Sequence, residues 1–188
     1  IMKLHLEKNA IRAMGIAECS KRYEKHSTLC AVVMRSDLII DGCIFGKCTI
    51  GGDDITRNIL SLYRKIKRTD INVLIILGLI MSSYNVVNVN SLYRSLNIPI
   101  ISVSLKQPKN LELNFKNKFP NTWKKKIQIY NQNGDASKIS LKTGYSIYVN
   151  VSGLSFSDSK KVLNKFLLQG SIPEPLRLAK LFARAKIL

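Results

Sequence analysis

Two hydrophobic rhythms run along the chain. Short β-branched apolar runs fill its opening stretch, and helical periodicity begins at Asp53. Ile11–Ala17 is an apolar run closed by Glu18 and predicts a strand. Ser20–Ser27 (SKRYEKHS) is polar and charged, a loop. Thr28–Met34 and Leu38–Phe45 are two more strand-like runs. Arg35-Ser36-Asp37 between them has turn chemistry, so the pair predicts an antiparallel hairpin. Gly51-Gly52 then breaks the pattern.

From Asp53, Ile55, Ile59, Leu60, Leu62, Tyr63 and Ile66 recur at helical spacing, with Arg57, Arg64, Lys65 and Arg68 on the other side. Asp53 or Asp54 suits the N-cap. Val73–Leu79 is the most apolar run and predicts a central strand. Val89–Asn97 reads as a helix and Pro99–Val103 as the next strand, together a βαβ unit with parallel pairing. Lys106–Asn133 is amphipathic and basic, one or two helices interrupted at Pro120. Ile139–Leu141 and Tyr145–Val151 are β-like. Ser157 or Asp158 caps a helix through Leu168 that Gly170 ends, and Pro173-Glu174-Pro175 opens the last helix. The fold class is α/β: a mixed sheet that starts with an antiparallel hairpin and continues through βαβ, with helices on both faces.

Composition narrows the picture. With 188 residues, 46% hydrophobic and 22% charged, the chain is unlike disordered, collagenous or coiled-coil sequences, and residues 1–188 are expected to form a single domain. No apolar run reaches the ~18 residues of a membrane span, and Ile1–Glu7 has no signal-peptide core. Cys19, Cys30, Cys43 and Cys48 lie on separate apolar segments without a CxxC spacing. His5 and His26 lack zinc-finger spacing. The thiols are expected to be free and structural in a reducing cytoplasm. Charge is the departure from the ordinary: 30 Lys and Arg stand against 12 Asp and Glu, a net +18. That points to a polyanionic partner or to a basic proteome background. It also leaves few candidates for any site built from several carboxylates.

Three constellations could carry chemistry. Glu18 ends the first strand, where such sheets bind ligands, and could hold Mg²⁺ or be a solvated loop carboxylate. Gly51-Gly52-Asp53-Asp54-Ile55-Thr56 joins a strand to a helix. It lacks the ending of a Walker A loop, and it serves equally as a turn plus N-cap. Ser82-Ser83-Tyr84-Asn85 follows the central strand and offers hydroxyls, an amide and a ring that could hydrogen-bond and stack on a base, or simply cap the next helix. Basic residues cluster at Lys21, Arg22 and Lys25, at Arg64–Arg68, at Lys116–Lys126 and at Arg177, Lys180 and Arg184. Tyr23, Tyr63, Phe115, Phe119 and Trp123 are interleaved with them. This is a composition for phosphate contact plus stacking, or for solvated helix faces.

Gly15-Ile16-Ala17-Glu18, Ala31-Val32-Val33, Gly51–Thr56, Ser83-Tyr84-Asn85-Val86-Val87, Leu168-Gln169-Gly170 and Ile172–Ala179 resemble, in this order, an archaeal family of endonuclease V-like proteins. The last segment is similar to the tail of endonuclease V itself. The resemblance implies an RNase H-like fold and a nuclease that uses carboxylates on Mg²⁺ or Mn²⁺, with a wedge that separates strands. Endonuclease V's first-strand Asp falls at Glu18, its helix Glu at Asn58 with Asp54 one turn earlier, its central-strand Asp at Leu77 and its His at Leu154. Its wedge falls on Thr49–Gly52, without the ring residues. The resemblance therefore implies a nucleic-acid-binding protein with a divergent nuclease site, weak or absent in metal-dependent cleavage. The alternatives are an active endonuclease on deaminated or structured nucleic acid, and a structural or partner-binding protein. The implied catalytic residues are Glu18 and Asp54, and the implied metal ligands are Glu18, Asp53 and Asp54. Nucleic acid, DNA or RNA, would be contacted by Gly51, Gly52, Tyr84, Asn85, Lys124, Lys125, Lys126 and Arg177. No membrane contact is expected.

Overall fold

The computed structural model describes residues 11–188; Ile1–Glu7 and His5 fall outside the described residues. Strand β1 (Arg12–Cys19) pairs antiparallel with β2 (His26–Arg35), which turns back into β3 (Ile40–Thr49). The turn closes through Arg35 N to Ile39 O and Leu38 N to Arg35 O. Both hairpin strands run further than the apolar runs alone predict. From Gly42 on, burial alternates along β3, with Ile44, Gly46 and Cys48 turned inward and Cys43, Phe45 and Lys47 exposed, so the strand continues past the apolar run with one face covered.

Helix α1 (Ile55–Lys65) leads to β4 (Val73–Leu77), followed by the short ribbon β5 (Ile80–Met81) and β6 (Asn85–Val86). Helix α2 (Val89–Leu96) crosses to β7 (Ile100–Ser104), then α3 (Leu111–Lys118) and α4 (Trp123–Asn131) break at Pro120. Strands β8 (Ser137–Ser140) and β9 (Ser146–Ser152) precede α5 (Phe156–Lys165) and α6 (Glu174–Ile187). The seven-stranded sheet has the order β3-β2-β1-β4-β7-β9-β8. Strands β1, β4 and β7 are parallel, and the pairings outside them are antiparallel.

Strand β4 is the middle strand, and Val73, Leu74, Ile75 and Ile76 are fully buried, as a strand covered on both faces requires. It stops at Leu77, two residues short of the apolar run. Gly78 adopts φ +89°, where an L side chain is strained, and takes the backbone out of the sheet. On one face Met14, Ile16, Leu74 and Ile76 meet Ile55, Ile59 and Leu62 of α1 and Val89 and Leu92 of α2. On the other, Ala13, Val73 and Ile75 meet Val162 and Leu163 of α5 and Leu176 of α6. Helix α6 lies so close over β1 that a Cβ on Gly15 would come 2.5 Å from the Pro175 carbonyl carbon, so only glycine fits there. Helix α5 starts one turn earlier than Ser157 or Asp158 would set it. Ser155 is the N-cap: its hydroxyl accepts from Asp158 N, with the acid in the first turn. The helix ends at Lys165, not Leu168. No helix among the described residues is long and apolar enough to cross a membrane, and all four cysteines are free.

Candidate functional site

At the carboxyl end of β1, Glu18 alternates with Met14 and Ile16 and stands opposite Leu29 of β2, which places it on the α1 side of the sheet. Its Oε1 accepts the backbone N–H of Ser82 at 3.2 Å. Its Oε2 is buried and has no hydrogen-bond partner among the described residues. The Ser82 hydroxyl contacts that of Ser27, and both contact Cys48 Sγ, at 2.8 and 2.9 Å. Burial pushes the Cys48 thiol up. The Ser27 and Ser82 hydrogen bonds oppose this, and the charges of Glu18 and Asp54 add to it. A neutral buried thiol is no nucleophile.

Ser82, Ser83 and Tyr84 are three successive residues in the left-handed region, at φ 44°, 52° and 73°. Each costs roughly 1–2 kcal/mol relative to ordinary backbone, so the turn persists because its surroundings hold it. Gly51 N donates to Ser82 O at 2.7 Å, Glu18 holds Ser82 N, and Lys126 Nζ reaches Tyr84 O at 3.2 Å. The Tyr84 ring is occupied edge-on by Phe115 and Phe119, at centroid distances of 5.3 and 5.9 Å.

Asn85 is fully buried and works as a hub. Its Oδ1 accepts Ile55 N, the first amide of α1, and its Nδ2 donates to Asp54 Oδ1 at 2.6 Å and Thr49 O at 3.0 Å. Asn85 therefore caps α1 from a distant strand, while Asp54, at the N-cap position, makes no side-chain cap. Asp54 turns back instead to Thr49: both carboxylate oxygens lie 3.2 Å from Thr49 N, and Oδ2 accepts Thr49 Oγ1 at 2.8 Å. Burial works against its ionisation, but the donors of Thr49, Asn85 and Asn58 outweigh it and hold Asp54 below the usual carboxylate range.

Lys126 is the group the sequence disguises. It follows two other lysines and reads as a solvated or phosphate-binding side chain, yet it is 2% exposed. Its ammonium donates to Asp53 Oδ1 (2.7 Å), Gly52 O (2.7 Å), Gly51 O (3.0 Å) and Tyr84 O (3.2 Å). It thus fills the space between the β3–α1 loop and the β5–β6 turn. Lys125, 63% exposed, takes the second Asp53 oxygen at 3.2 Å. Burial disfavours the Asp53 charge, and the hydrogen bonds and charges of Lys126 and Lys125 overcome it, so its carboxyl also sits below the usual range.

The structure therefore brings Glu18, Gly51, Gly52, Asp53, Asp54, Tyr84, Asn85, Lys125 and Lys126 to one end of the sheet and assigns several of them other tasks. Gly51 and Gly52 face the Lys126 ammonium, Tyr84 packs on phenylalanines, and Asn85 and Lys126 are internal braces. Lys124 stays outside, its ammonium 5.9 Å from the Trp123 ring centroid. Arg177 lies on α6, across the sheet, clamped on the buried Glu174 at 2.7–3.0 Å. Sequence reasoning missed Ser27 and Cys48, and it named Thr49 only as the start of the wedge segment and Asn85 only as a nucleic-acid contact or a cap of the next helix. The only signal for the bracing role of Thr49 is its polarity at the end of an apolar strand.

A divalent cation needs several charged oxygens whose lone pairs are open. Both oxygens of Asp54 already face N–H and O–H hydrogens, and both of Asp53 face ammonium groups. Only Glu18 Oε2 is open, and among the described residues no three His, Cys, Asp or Glu side chains form a metal-holding group. As arranged, Glu18, Asp53 and Asp54 do not fit Mg²⁺ or Mn²⁺. Leu77 corrects a second expectation. It lies on the α6 face, packed with Ala17, Leu178 and Phe182, so it does not share a site with Glu18. Leu154 is likewise packed into the α5–α6 core.

The chain is 30% identical over 182 residues to a UPF0215 protein of Methanosarcina barkeri, covering 96% of this chain and 93% of the relative. A crystal structure from Archaeoglobus fulgidus matches with TM-score 0.81 and 24% identity, over 94% of this chain and 98% of that one. Endonuclease V of Ciona intestinalis matches with TM-score 0.62 and 13% identity, over 95% and 86% of the two chains. The fold is thus the RNase H-like one of endonuclease V. The family model of endonuclease dU matches residues 9–187, and the chain belongs to that endonuclease V-like family.

Proposed function

We propose that the protein binds nucleic acid on an endonuclease V-like scaffold whose metal-dependent cleavage is weak or absent. The observation that carries this reading is the state of its acids: the oxygens of Asp53 and Asp54 are taken by lysines, Thr49 and Asn85. Fold does not carry chemistry when the site residues have changed.

Binding is supported by the net charge of +18. The Ciona endonuclease V was crystallised with a DNA 24-mer containing an inosine. Cations also gather on open surface. Arg57, Arg64, Lys65 and Lys67 line a depression on α1, and Lys21, Lys25, Lys47 and Lys186 line a basin whose acid is Glu24. Lys124 remains available as a phosphate contact, and Lys125, 63% exposed, becomes one on leaving Asp53; Lys126, being buried, does not.

The test pairs two assays. Oligonucleotide affinity should fall steeply with salt, with a slope in log K against log salt of about −0.7 to −0.9 per neutralised phosphate. Lys124→Gln with Lys125→Gln should weaken all sequences alike. An affinity that ignores salt would favour the structural or partner-binding reading. Strands containing deoxyuridine or inosine should survive incubation with Mg²⁺ or Mn²⁺. The open Glu18 Oε2 favours the second reading, an active endonuclease: robust cutting that Glu18→Gln abolishes would establish it and overturn ours.

A further inference from the structure

We propose that Cys43 and Cys30 form a peroxide-reactive dithiol that closes to a disulfide between the edge strand β3 and its neighbour β2. Their sulfurs lie 3.5 Å apart. The register sets Val32 opposite Cys43 and Cys30 opposite Phe45, so the two cysteines are diagonal neighbours on one face of the sheet. That face is the one α6 covers. Cys30 is fully buried there with Val32, Ala179 and Ala183. Helix α6 packs mainly on β1 and β2 and leaves Cys43 exposed on β3, the outermost strand. One thiol of the pair is thus open to solvent and the other lies directly behind it.

The two thiols divide the work. Cys43 is the one a small oxidant reaches, because susceptibility follows exposure. Burial, and after it the contact with Cys43, push the Cys30 thiol up, so Cys30 stays protonated and inert to peroxide on its own. The co-reactant is hydrogen peroxide or an organic hydroperoxide. The Cys43 sulfur attacks one peroxide oxygen and the O–O bond breaks. Cys43 becomes a sulfenic acid, and its thiol proton leaves with the second oxygen as water or alcohol. The Cys30 sulfur then attacks the Cys43 sulfur and the S–O bond breaks. The Cys30 proton leaves with the departing hydroxyl as water. The thiol pair loses two electrons and the peroxide gains them. The sulfurs must close from 3.5 Å to about 2.0 Å, and Cys43, at the exposed edge, is the side with room to turn. Cys48 is held by Ser27 and Ser82 on the opposite face and takes no part. Cys19, half-buried, packs in the same cluster as Cys30, which makes it the competing partner.

The experiment exposes the reduced chain to hydrogen peroxide, blocks the remaining thiols with N-ethylmaleimide, and reads intact mass, linked peptides and mobility on a non-reducing gel. Before blocking, the chain should lose about 2 Da, the two thiol hydrogens, and dithiothreitol should restore them. The linked peptides should carry Cys30 and Cys43, and the gel should show a single chain. Cys30→Ala removes the partner and strands the Cys43 sulfenic acid. That variant should take up dimedone, and in excess peroxide gain about 32 Da as the sulfinic acid. Cys43→Ser, at an exposed position, keeps the test standing if the buried variant does not fold, and should abolish the mass loss. Cys19→Ser should leave the bridge intact. Four thiols that all remain blockable after peroxide, a bridge that includes Cys19, or two chains joined through Cys43 would each overturn the proposal.

Discussion

Replacing Lys126 with Met removes one ammonium and leaves its stem, which makes it a clean test of what holds this end of the sheet. The ammonium joins three segments far apart in sequence: the Gly51–Asp53 loop, the Tyr84 turn and α4. Four acceptors share three protons, so the 3.2 Å contact to Tyr84 O is the weakest. Breaking a buried ion pair by deleting one partner costs about 3–5 kcal/mol. The lower end applies here, because Asp53 keeps Lys125 and its side chain is 34% exposed. Methionine also forfeits the ammonium's position 4.7 Å from the Phe119 centroid while filling similar volume. A loss of about 3 kcal/mol corresponds to a melting point lower by roughly 6–12 °C in a chain of this size. Circular dichroism melts of wild type, Lys126→Met, Asp53→Asn and the double variant read both the cost and the coupling. A drop under about 2 °C for Lys126→Met, or strict additivity with Asp53→Asn, would refute the idea that this pair latches the loop.

Asn85→Ala removes the α1 cap and the Asp54 donor together, and should cost about 2 kcal/mol, above the ~1 kcal/mol of an ordinary cap; a urea midpoint equal to wild type would contradict the hub role. Asp53 and Asp54 both sit below their ordinary range in the folded chain. Their contribution to stability is therefore complete above the unfolded carboxylate value of about 3.9 and lost as pH falls through the lower folded values. Urea midpoints should hold from pH 7 to about pH 5 and fall below that, less steeply in Asp53→Asn with Asp54→Asn; equal acid limbs would count against this. Leu77→Asp should lower stability by about 3 kcal/mol, since it puts a carboxylate among Leu178 and Phe182, and should bring no cleavage; a gain of Glu18-dependent cutting would show that the two positions do share a site.

The sheet was legible because its strands are apolar runs of strand length separated by turn residues. Val73–Ile76 could only be a doubly covered strand, and α1, α2 and α6 follow from periodicity and from Pro173 and Pro175. What escaped was set by contacts distant in sequence. Lys126 meets Asp53 from 73 residues away, and Asn85 caps a helix that starts 30 residues earlier. No local pattern separates a lysine that will be buried from its two neighbours that stay in water. The Ser82–Tyr84 turn was invisible for a related reason: three left-handed residues without a glycine contradict local preference, and only the surrounding hydrogen bonds make them tolerable.

Sheet geometry also decides how far the endonuclease V acids can be mapped onto this chain. Side chains on a strand alternate, so an assignment wrong by one residue lands on the opposite face. In β1, Met14, Ile16 and Glu18 look toward α1, while Ala13 and Ala17 look toward α5 and α6. The parallel register sets Ile16 opposite Ile76, so Ala17 and Leu77 come next, side by side beneath Leu178 and Phe182. Matching the two strand acids of endonuclease V to Glu18 and Leu77 therefore pairs positions on opposite sides of the sheet. Positions 17 and 77 share one face and positions 16 and 76 the other; this chain has Ala and Leu at the first pair and isoleucines at the second, so neither pair carries a carboxylate. Glu18 is a carboxylate of the α1 face, held by Ser82 beside the hydroxyls of Ser27 and Ser82 and the Cys48 thiol, and no carboxylate stands opposite it on β4.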